Sequence, residues 1–257
     1  MSNIYKAFEN KKAFIAFLTA GDPDYETSLA NFRAVIEAGA DLIEVGIPFS
    51  DPIAEGPVIQ EADIRSLASG MTTDKVFDLV KEIRKESDIP IVFMTYANPV
   101  FHYGTEKFFM KASEAGADGI IIPDCPFEEK HEFCDTAEKY GMDFISMIAP
   151  TSEDRIKLIA SQAKGFIYVV SSLGVTGVRS EIKTDLGSIL SLIKEATDTP
   201  AAIGFGINNP EQVTKMTKIA DGAIVGSAMV KIVAEHGKNA PEKLSEYVKS
   251  MVAAKSE

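Results

Sequence analysis

Short apolar runs alternate with longer segments of helical period along the whole chain. The apolar runs are rich in Ile, Val and Phe and are bounded by Gly, Pro or Asp, a pattern typical of parallel strands that are buried on both faces. The sequence predicts eight such strands, at residues 13–19, 41–47, 90–96, 119–123, 143–149, 165–171, 200–205 and 222–225.

The segments between these strands predict helices. Leu29, Phe32 and Ile36, for example, recur at the spacing that lines one face of a helix. We expect helices at 26–37, 74–85, 108–115, 128–140, 153–163, 185–196, 210–218 and 228–235, with a short helix near 5–10 and a last helix near 241–253. The near-identical phrases Glu37-Ala-Gly-Ala-Asp-Leu-Ile and Glu114-Ala-Gly-Ala-Asp-Gly-Ile support this alternation, because each marks a helix end, a glycine cap and the start of a strand.

Eight regular βα units predict the fold class. The 257 residues give about 32 residues per unit, a normal length for a strand, a helix and their connections. We therefore expect an α/β protein, a single (βα)8 TIM barrel that spans residues 1–257 as one domain with an extra N-terminal helix. An open doubly wound sheet is the alternative, but the chain lacks the Gly-x-Gly-x-x-Gly opening typical of that fold.

Composition narrows the classes of partner. Lys and Arg number 26 and Asp and Glu number 38, which gives a net charge of −12. Such an acidic chain argues against nucleic acid or an anionic membrane as the main partner, although backbone amides can still hold a small anion. The N-terminus has no apolar stretch and no run of about 18 apolar residues occurs, so we expect a cytoplasmic protein with no membrane span.

The cysteines and the nearby histidine predict no metal site. Cys125 and Cys134 are expected to be free thiols, since nothing in the sequence indicates an oxidising compartment. His131 lies between them, but this spacing matches no zinc-binding pattern.

A carboxylate interrupts the apolar run of the second predicted strand. Glu44 lies between Ile43 and Val45, and by alternation it shares a face with Leu42 and Gly46. A buried carboxyl group without a partner has a raised pKa, which suits a general acid or base near neutral pH. The small Gly46 indicates room for a ligand beside it. A structural ion pair to a neighbouring strand is the other interpretation of Glu44.

The segment 48–57 after this strand is stiffened by three prolines. Taken alone, its acids Asp51 and Glu55 are best interpreted as solvated loop charges. Long loops at the C-terminal ends of barrel strands build active sites, however, and 48–60 and 173–184 are both longer than a barrel requires.

Glycines cluster after the last three predicted strands. Gly177, Gly206 and Gly226 follow the sixth, seventh and eighth strands, and Ser227 begins the helix after the eighth. Glycine lets backbone N–H groups approach an anion, a helix N-terminus adds a favourable dipole, and the last two loops of barrels recurrently bind phosphate. We predict that these residues bind a phosphate group without the help of Lys or Arg.

Other residues at strand ends have two interpretations each. Phe17, Tyr96 and Tyr168 form either a pocket wall or ordinary barrel core. Asp124, just past the fourth strand, is either an active-site acid or a loop cap.

Four phrases together resemble the α-subunit family of tryptophan synthase: Glu44-Val-Gly-Ile-Pro-Phe-Ser-Asp-Pro, Gly56-Pro-Val-Ile-Gln, Gly174-Val-Thr-Gly and Gly204-Phe-Gly-Ile. The resemblance covers nearly the whole chain, from Phe14 to the last helix. It implies cleavage of indole-3-glycerol phosphate to indole and glyceraldehyde 3-phosphate, in tryptophan biosynthesis. It also implies no cofactor in this subunit, and a β subunit with pyridoxal phosphate as partner in an α2β2 heterotetramer, to which indole passes through a tunnel.

The resemblance also assigns residues position by position. Glu44 matches the family's catalytic glutamate, and Glu55 stands where the family has its catalytic aspartate, which is one methylene shorter. The matches to substrate-binding positions are Gly177, Gly206, Gly226 and Ser227 for the phosphate, Phe17, Tyr96 and Tyr168 for the pocket, and Thr176 for the mobile loop that closes over the site. Ala16 stands where many members have proline, and Leu173 where some have arginine.

The implied reaction gives the two acids separate tasks. Cleavage is a retro-aldol step in which indole C3 gains a proton and the resulting positive charge spreads to N1. We expect Glu44 to donate this proton and then, directly or through a water, to take the proton of the glycerol hydroxyl. Glu55 near N1–H would stabilise the charge there. A partner that docks on Pro48, Asp51 and Pro52, between the two acids, would set the geometry of both.

Three other functions remain open from the sequence. The first is another phosphate-binding barrel enzyme, such as an indole-glycerol phosphate synthase or an isomerase. The synthase would need a buried lysine in a barrel strand, which the sequence lacks. A weakly catalytic subunit that mainly activates the β subunit is the second, and the change at Glu55 keeps it open. The third is a stand-alone lyase that releases free indole.

Overall fold

The computed structural model describes residues 2–170, 185–204 and 206–256. Within them, parallel strand segments form one sheet. The segments are β1 (Ala13–Thr19), β2 (Leu42–Gly46), β3 (Ile91–Met94), β4 (Gly119–Ile121), β5 (Asp143–Phe144), β6 (Ser146–Ile148), β7 (Ile167–Val170), β8 (Ala201–Gly204) and β9 (Gly222–Val225).

The order of these strands closes the sheet into a barrel. It runs β5-β4-β3-β2-β1-β9-β8-β7-β6, with every neighbouring pair parallel. Only Ile145 separates β5 from β6, and its backbone N–H donates to the carbonyl of Ile120 over 2.9 Å. The two segments are therefore one interrupted strand that pairs with β4 at one end and β7 at the other. The predicted (βα)8 TIM barrel is confirmed.

Helices surround the sheet. They are α1 (Tyr25–Glu37), α2 (Pro57–Ala68), α3 (Thr73–Arg84), α4 (Ala97–Tyr103), α5 (Thr105–Ala115), α6 (His131–Lys139), α7 (Glu153–Ala160), α8 (Leu186–Ala196), α9 (Pro210–Thr217), α10 (Ser227–His236) and α11 (Ala240–Val252). Short 3₁₀ turns occur at Ile4–Ala7, Phe127–Glu129 and Gly237–Asn239.

The sequence predicted most of these helices but not α2 and α4. The expectation of one long loop at 48–60 is wrong, because α2 begins at Pro57, directly after Gly56 at the N-cap. The buried face of α2 includes Asp63 and Ser66, so no apolar stripe marks it as a helix.

Two apolar layers hold the barrel together. Side chains inside the barrel, such as Ile15, Leu42 and Ile224, form one cluster, and Ile4 and Ala7 of the first 3₁₀ turn join it. A larger cluster fills the space between the sheet and the helices. Each large apolar side chain that is fully buried contributes roughly 1.5–3 kcal/mol.

Glu44 belongs to the inner face of this barrel. Its neighbours along β2, Ile43 and Val45, pack in the outer cluster, and Leu42 packs in the inner one. Alternation along the strand therefore directs Glu44 inward. Phe17 of β1 and Val92 of β3 are its partners in the register of the sheet.

No helix in the described part of the chain is long and apolar enough to cross a membrane.

Candidate active site

A cavity opens at the C-terminal ends of the strands and gathers most of the predicted site. Of the candidates from the sequence, Phe17, Glu44, Glu55, Tyr168, Gly206, Gly226 and Ser227 line it. The remaining described walls come from Ala54, Ile59, Met94, Pro123, Met147, Ile207 and Ile224. Apolar walls with a few polar groups are typical of a small-molecule site.

Glu44 is a buried acid in the wall of this cavity. Its side chain is 1% exposed, and neither carboxyl oxygen has a hydrogen-bond partner among the described residues. Burial, and to a lesser extent the charge of Glu55, raises the pKa of Glu44 to about 8. Glu44 therefore holds a proton at neutral pH that it can give to a ligand.

Glu55 is also buried, at 5% exposed, so its interpretation as a solvated loop charge is wrong. The Tyr96 hydroxyl donates to Glu55 Oε1 over 3.2 Å and accepts from the Ala54 backbone N–H over 3.0 Å. Gln60 Nε2 donates to the backbone carbonyl of Glu55 over 2.8 Å. These bonds fix both the backbone and the carboxylate of Glu55 in the cavity wall.

Tyr96 therefore supports the Glu55 carboxylate through a hydrogen bond. Burial, together with the charge of Glu55, raises the pKa of Tyr96 above its ordinary value, so the hydroxyl stays protonated and able to donate. The ring of Phe49 lies 5.6 Å from the ring of Tyr96, centroid to centroid.

Phe17 occupies the space beside Gly46. A Cβ atom on Gly46 would lie 2.8 Å from Phe17 Cζ, which is closer than such contacts occur. The prediction that Gly46 leaves room for a ligand is therefore wrong, because the Phe17 ring fills that room. A Cβ atom on Gly226 would lie 3.2 Å from Phe17 Cδ1, so the same ring also abuts the predicted phosphate site.

Tyr168 of β7 forms another part of the cavity wall. It is 5% exposed, and its burial, with the charges of Glu44 and Glu55, raises its pKa well above the ordinary value. A side chain on Gly204 would collide with the Tyr168 hydroxyl. Tyr168 thus remains a neutral phenol in a tightly fitted position.

Three of the predicted phosphate-binding residues meet at one end of the cavity. Gly206 has φ +86°, a conformation that favours glycine. Gly226 is the N-cap of α10 and Ser227 is the first residue of that helix, whose N-terminus attracts anions. The described lining residues include no Lys or Arg. Thr176 and Gly177 lie outside the described residues.

The residues predicted to contact a partner differ in exposure. Pro48 is buried, which argues against direct contact of its side chain with a partner. Asp51 is exposed and accepts a hydrogen bond from Ser50 Oγ over 2.5 Å. Pro52 is half-buried, and Ile53 beside it is 74% exposed.

Two further acids, Asp124 and Asp63, are not among the described residues that line the cavity. Asp124 accepts from the Ala97 backbone N–H over 2.9 Å at the first residue of α4 and is not among the described lining residues, which favours its interpretation as a cap. Asp63 on α2 is 6% exposed and has a raised pKa. Sequence reasoning did not single out Asp63, because it assigned neither a helix nor a site to the residues that follow 48–60.

Outside the cavity, His131, Cys134 and Asp135 group on α6, with potential ligand atoms within 4.8 Å of one another. His131 and Asp135 are exposed, and burial raises the pKa of the Cys134 thiol to about 11. A thiol that keeps its proton is a poor ligand. The absence of a metal site stays a prediction.

A family model described as tryptophan synthase alpha chain matches residues 5–256. The chain belongs to the tryptophan synthase alpha chain family. The resemblance that the sequence motifs predicted is thereby confirmed.

Individual members of the tryptophan synthase alpha chain family are similar in sequence to this chain over nearly its full length. The alpha chain of Lacticaseibacillus casei is 48% identical over 254 residues, which cover 99% of this chain and 96% of that one. The alpha chain of Lactiplantibacillus plantarum is 50% identical over 252 residues, covering 98% and 95%. A crystal structure of the tryptophan synthase complex from Pyrococcus furiosus superposes with a TM-score of 0.87 at 39% identity and covers 95% of this chain and 99% of its own.

Proposed function

We propose that the chain cleaves indole-3-glycerol phosphate to indole and glyceraldehyde 3-phosphate, as the α subunit of a tryptophan synthase. The observation that carries the proposal is Glu44, a protonated acid with no hydrogen-bond partner among the described residues, which faces the same cavity as Glu55. A buried polar group without a partner needs an explanation, and a reacting ligand supplies one. Membership of the alpha chain family gives the class of substrate.

In this proposal Glu44 moves the protons. It gives its proton to indole C3, which becomes tetrahedral and leaves a positive charge delocalised onto N1. The bond from C3 to the glycerol carbon then breaks, its electrons return to the indole ring, and the hydroxyl on that carbon becomes the aldehyde. The hydroxyl proton returns to the Glu44 carboxylate, so the site ends in the state in which it began.

Glu55 has the electrostatic task. Its carboxylate accepts the indole N1–H, and its negative charge stabilises the cation that forms when C3 is protonated. The Tyr96 hydroxyl at 3.2 Å and the amide of Gln60 preorganise it for this task. A group that lost its function would need no such support, which favours catalysis over the weakly catalytic alternative.

The phosphate end of the substrate lies against the N-terminus of α10. Gly206, Gly226 and Ser227 offer backbone N–H groups and one hydroxyl there. The dipole of the helix favours the phosphate charge without a cationic side chain. Thr176 and Gly177 complete the proposed site by the resemblance alone.

No cofactor enters this reaction in the proposal, since proton transfer and charge stabilisation suffice for the cleavage. Pyridoxal phosphate belongs to the proposed β-subunit partner, in a cytoplasmic α2β2 assembly. The structure from Pyrococcus furiosus is described as a tryptophan synthase complex, which supports a partner of this class. The exposed Asp51 and Ile53 supply a surface for it between the two acids.

An assay of indole release tests the function. The purified chain is incubated with indole-3-glycerol phosphate, alone and with a bacterial tryptophan synthase β subunit, and indole and glyceraldehyde 3-phosphate are measured. Equal amounts of both products, formed faster with the β subunit, are expected. Full-rate release without any effect of the β subunit would indicate a stand-alone lyase. Release only at trace rates, with activation of the β subunit, would indicate a weakly catalytic subunit.

A further inference from the structure

A second cavity adjoins the candidate active site. Pro123 and Met147 line both cavities, so these two side chains form the wall between them. The second cavity encloses about 50 Å³, and its other walls include the apolar side chains of Ile122, Phe144 and Ile159. Since roughly 10–15 Å³ is enough for one water molecule, this cavity has room for a small substituent such as a methyl group.

The two cavities meet at a place where the sheet opens. The pairing of β4 with β5 ends with the hydrogen bond from the Ile145 backbone N–H to the Ile120 carbonyl. Beyond this bond, β6 with Met147 pairs with β7, and Pro123 follows the end of β4. The described strands form no ladder between Met147 and Pro123. Side chains alone therefore close the wall here, and a side chain can turn aside where a backbone ladder cannot.

Met147 is the movable part of this wall. It packs against the inner cluster, whereas its neighbour Ile148 packs in the outer one, so its side chain points into the barrel. It is half-buried. Methionine is unbranched, has three rotatable bonds and fills irregular gaps, whereas the ring of Pro123 is rigid. A ligand that needs the second cavity can therefore reach it by displacing the Met147 side chain.

The shared wall lies across the barrel from the proposed phosphate site. With β5 and β6 counted as one strand, β4 lies four strands from β9 in either direction around the barrel. Gly226 follows β9, and Pro123 follows β4. A substrate with its phosphate at Gly226 and its C3 at Glu44 therefore directs its benzo ring toward Pro123 and Met147. Carbons 5 and 6 of the indole are the ring positions farthest from the pyrrole ring, so they point most directly at this wall.

We propose that the second cavity is a subsite for a small apolar substituent at carbon 5 or 6 of the indole, which Met147 admits by turning aside. The inference rests on the proposed lyase reaction and adds to it a class of ring-substituted substrates. The Lys130 ammonium at this cavity donates to Gln162 Oε1 over 2.7 Å and lies over the Phe127 ring, so it requires no anionic substituent. Cleavage itself is unchanged, because the substituent is remote from C3 and N1.

A comparison of substrates tests the subsite. The kcat/KM for release of glyceraldehyde 3-phosphate is measured for indole-3-glycerol phosphate and its 5-methyl and 6-methyl forms, each with the chain saturated with the β subunit. An apolar pocket of fixed size typically discriminates by about 10- to 200-fold on the basis of one carbon, so we expect at least one methylated substrate to stay within about fivefold of the parent. A larger loss with both methylated substrates overturns the proposal.

Substitutions on either side of the shared wall test its role. Met147→Ile keeps the approximate volume but makes the side chain β-branched and stiff, and Cys125→Leu fills the second cavity from its far side. Each should lower the kcat/KM of the accepted methylated substrate, relative to the parent, by at least about fivefold. Met94→Ile is the matched control, since Met94 lines the active-site cavity but is not among the described residues of the second one. A smaller change in both variants, or an equal change in Met94→Ile, overturns the proposal, and Cys125→Leu decides alone if Met147→Ile does not fold.

Binding separates failure of the subsite from failure of the proposed function. Indole-3-propanol phosphate lacks the hydroxyl that becomes the aldehyde, so it binds without being cleaved, and its fluorescence reports binding because the chain contains no Trp. Its 5-methyl or 6-methyl form should bind the wild type within about fivefold of the parent and should lose at least fivefold against the parent in Met147→Ile. This pattern without lyase activity would refute the proposed function and leave the subsite standing. Cleavage of the parent substrate without this pattern would overturn the subsite alone.

Discussion

At the scale of single residues, burial of Glu44 determines both its acidity and its effect on stability. A carboxyl group in an apolar wall keeps its proton up to about pH 8, which is what a proton donor at neutral pH requires. The same burial makes ionisation of Glu44 unfavourable in the folded state. Catalytic usefulness and stability therefore oppose each other at this position.

Glu44→Gln should stabilise the fold in a pH-dependent way. The pKa of Glu44 is higher in the folded state than its ordinary value of 4.5 in the unfolded chain, so the wild type loses stability as the pH rises from about 4.5 to about 8. Glutamine does not titrate. The variant's advantage in free energy of unfolding should grow over this range to about 3–5 kcal/mol and stay constant above it.

Urea unfolding at pH 5 and at pH 9 measures this difference, with the exposed Glu61→Gln as the matched control. An advantage of Glu44→Gln that is the same at both pH values would contradict a raised pKa for Glu44.

Glu55 should need its full side-chain length. Its carboxylate is held by Tyr96 at 3.2 Å, and aspartate would withdraw the carboxylate by up to about 1.5 Å. We expect Glu55→Ala and Glu55→Gln to lose about 10²–10³-fold in kcat, and Glu55→Asp not to exceed the wild type. Steady-state rates of indole formation measure these losses in kcat. The chain contains no Trp, so bound indole can be followed by its own fluorescence. Wild-type turnover by Glu55→Ala would leave Glu44 as the only catalytic acid.

The two acids were not equally predictable from the sequence. A lone carboxylate in an apolar strand is visible in the sequence, so Glu44 could be singled out by position. The burial of Glu55 depends on Tyr96, which β3 brings from a distant part of the chain. Only the resemblance to the family pointed to Glu55, because loop composition alone predicts a solvated charge.

At the scale of elements, strands were predicted better than the connections between them. The bounds of β1 and β9 agree with the prediction, because their apolar runs end at clear polar or glycine residues. The helix α2 was missed since its buried side includes Asp63 and Ser66. The break at Ile145 was also missed, because a strand interruption leaves an apolar run unchanged.

The N-terminus of α10 and the turn at Gly206 should form one phosphate-binding element. Gly206→Val is expected to abolish the rise in melting temperature that inorganic phosphate or glycerol phosphate gives the wild type. Gly104→Val is the matched control, since Gly104 has a similar φ of +92° and lies between α4 and α5. Both variants should be destabilised by about 1–3 kcal/mol through backbone strain. An equal rise in melting temperature with phosphate in Gly206→Val and Gly104→Val would show that Gly206 does not belong to the phosphate site.

At the scale of the whole molecule, the two ends of the chain meet. β1 pairs with both β2 and β9, and α11 packs on α1. We propose on this basis that residues 1–257 form one domain. The loop before α2 exposes Asp51 and Ile53, which lie between Glu44 and Glu55 in the sequence.

A partner bound at Asp51 should act on the site by changing the population of loop conformations. Asp51→Ala is expected to lower the β subunit's stimulation of the lyase several-fold while basal activity changes by less than about twofold. Asp78→Ala on α3, an exposed acid away from the loop, is the control. Unchanged stimulation of the Asp51→Ala lyase by the β subunit would show that this loop is not part of the proposed interface.

The central claim is that the proton held by Glu44 drives cleavage of the substrate. The most direct measurement is single-turnover indole formation from indole-3-glycerol phosphate by Glu44→Gln and wild type, each saturated with the β subunit. The amide has nearly the same shape and cannot donate the proton, so indole formation should fall by at least about 10³-fold while glycerol phosphate still stabilises the variant thermally. Indole formation by Glu44→Gln within about tenfold of the wild type would contradict the account.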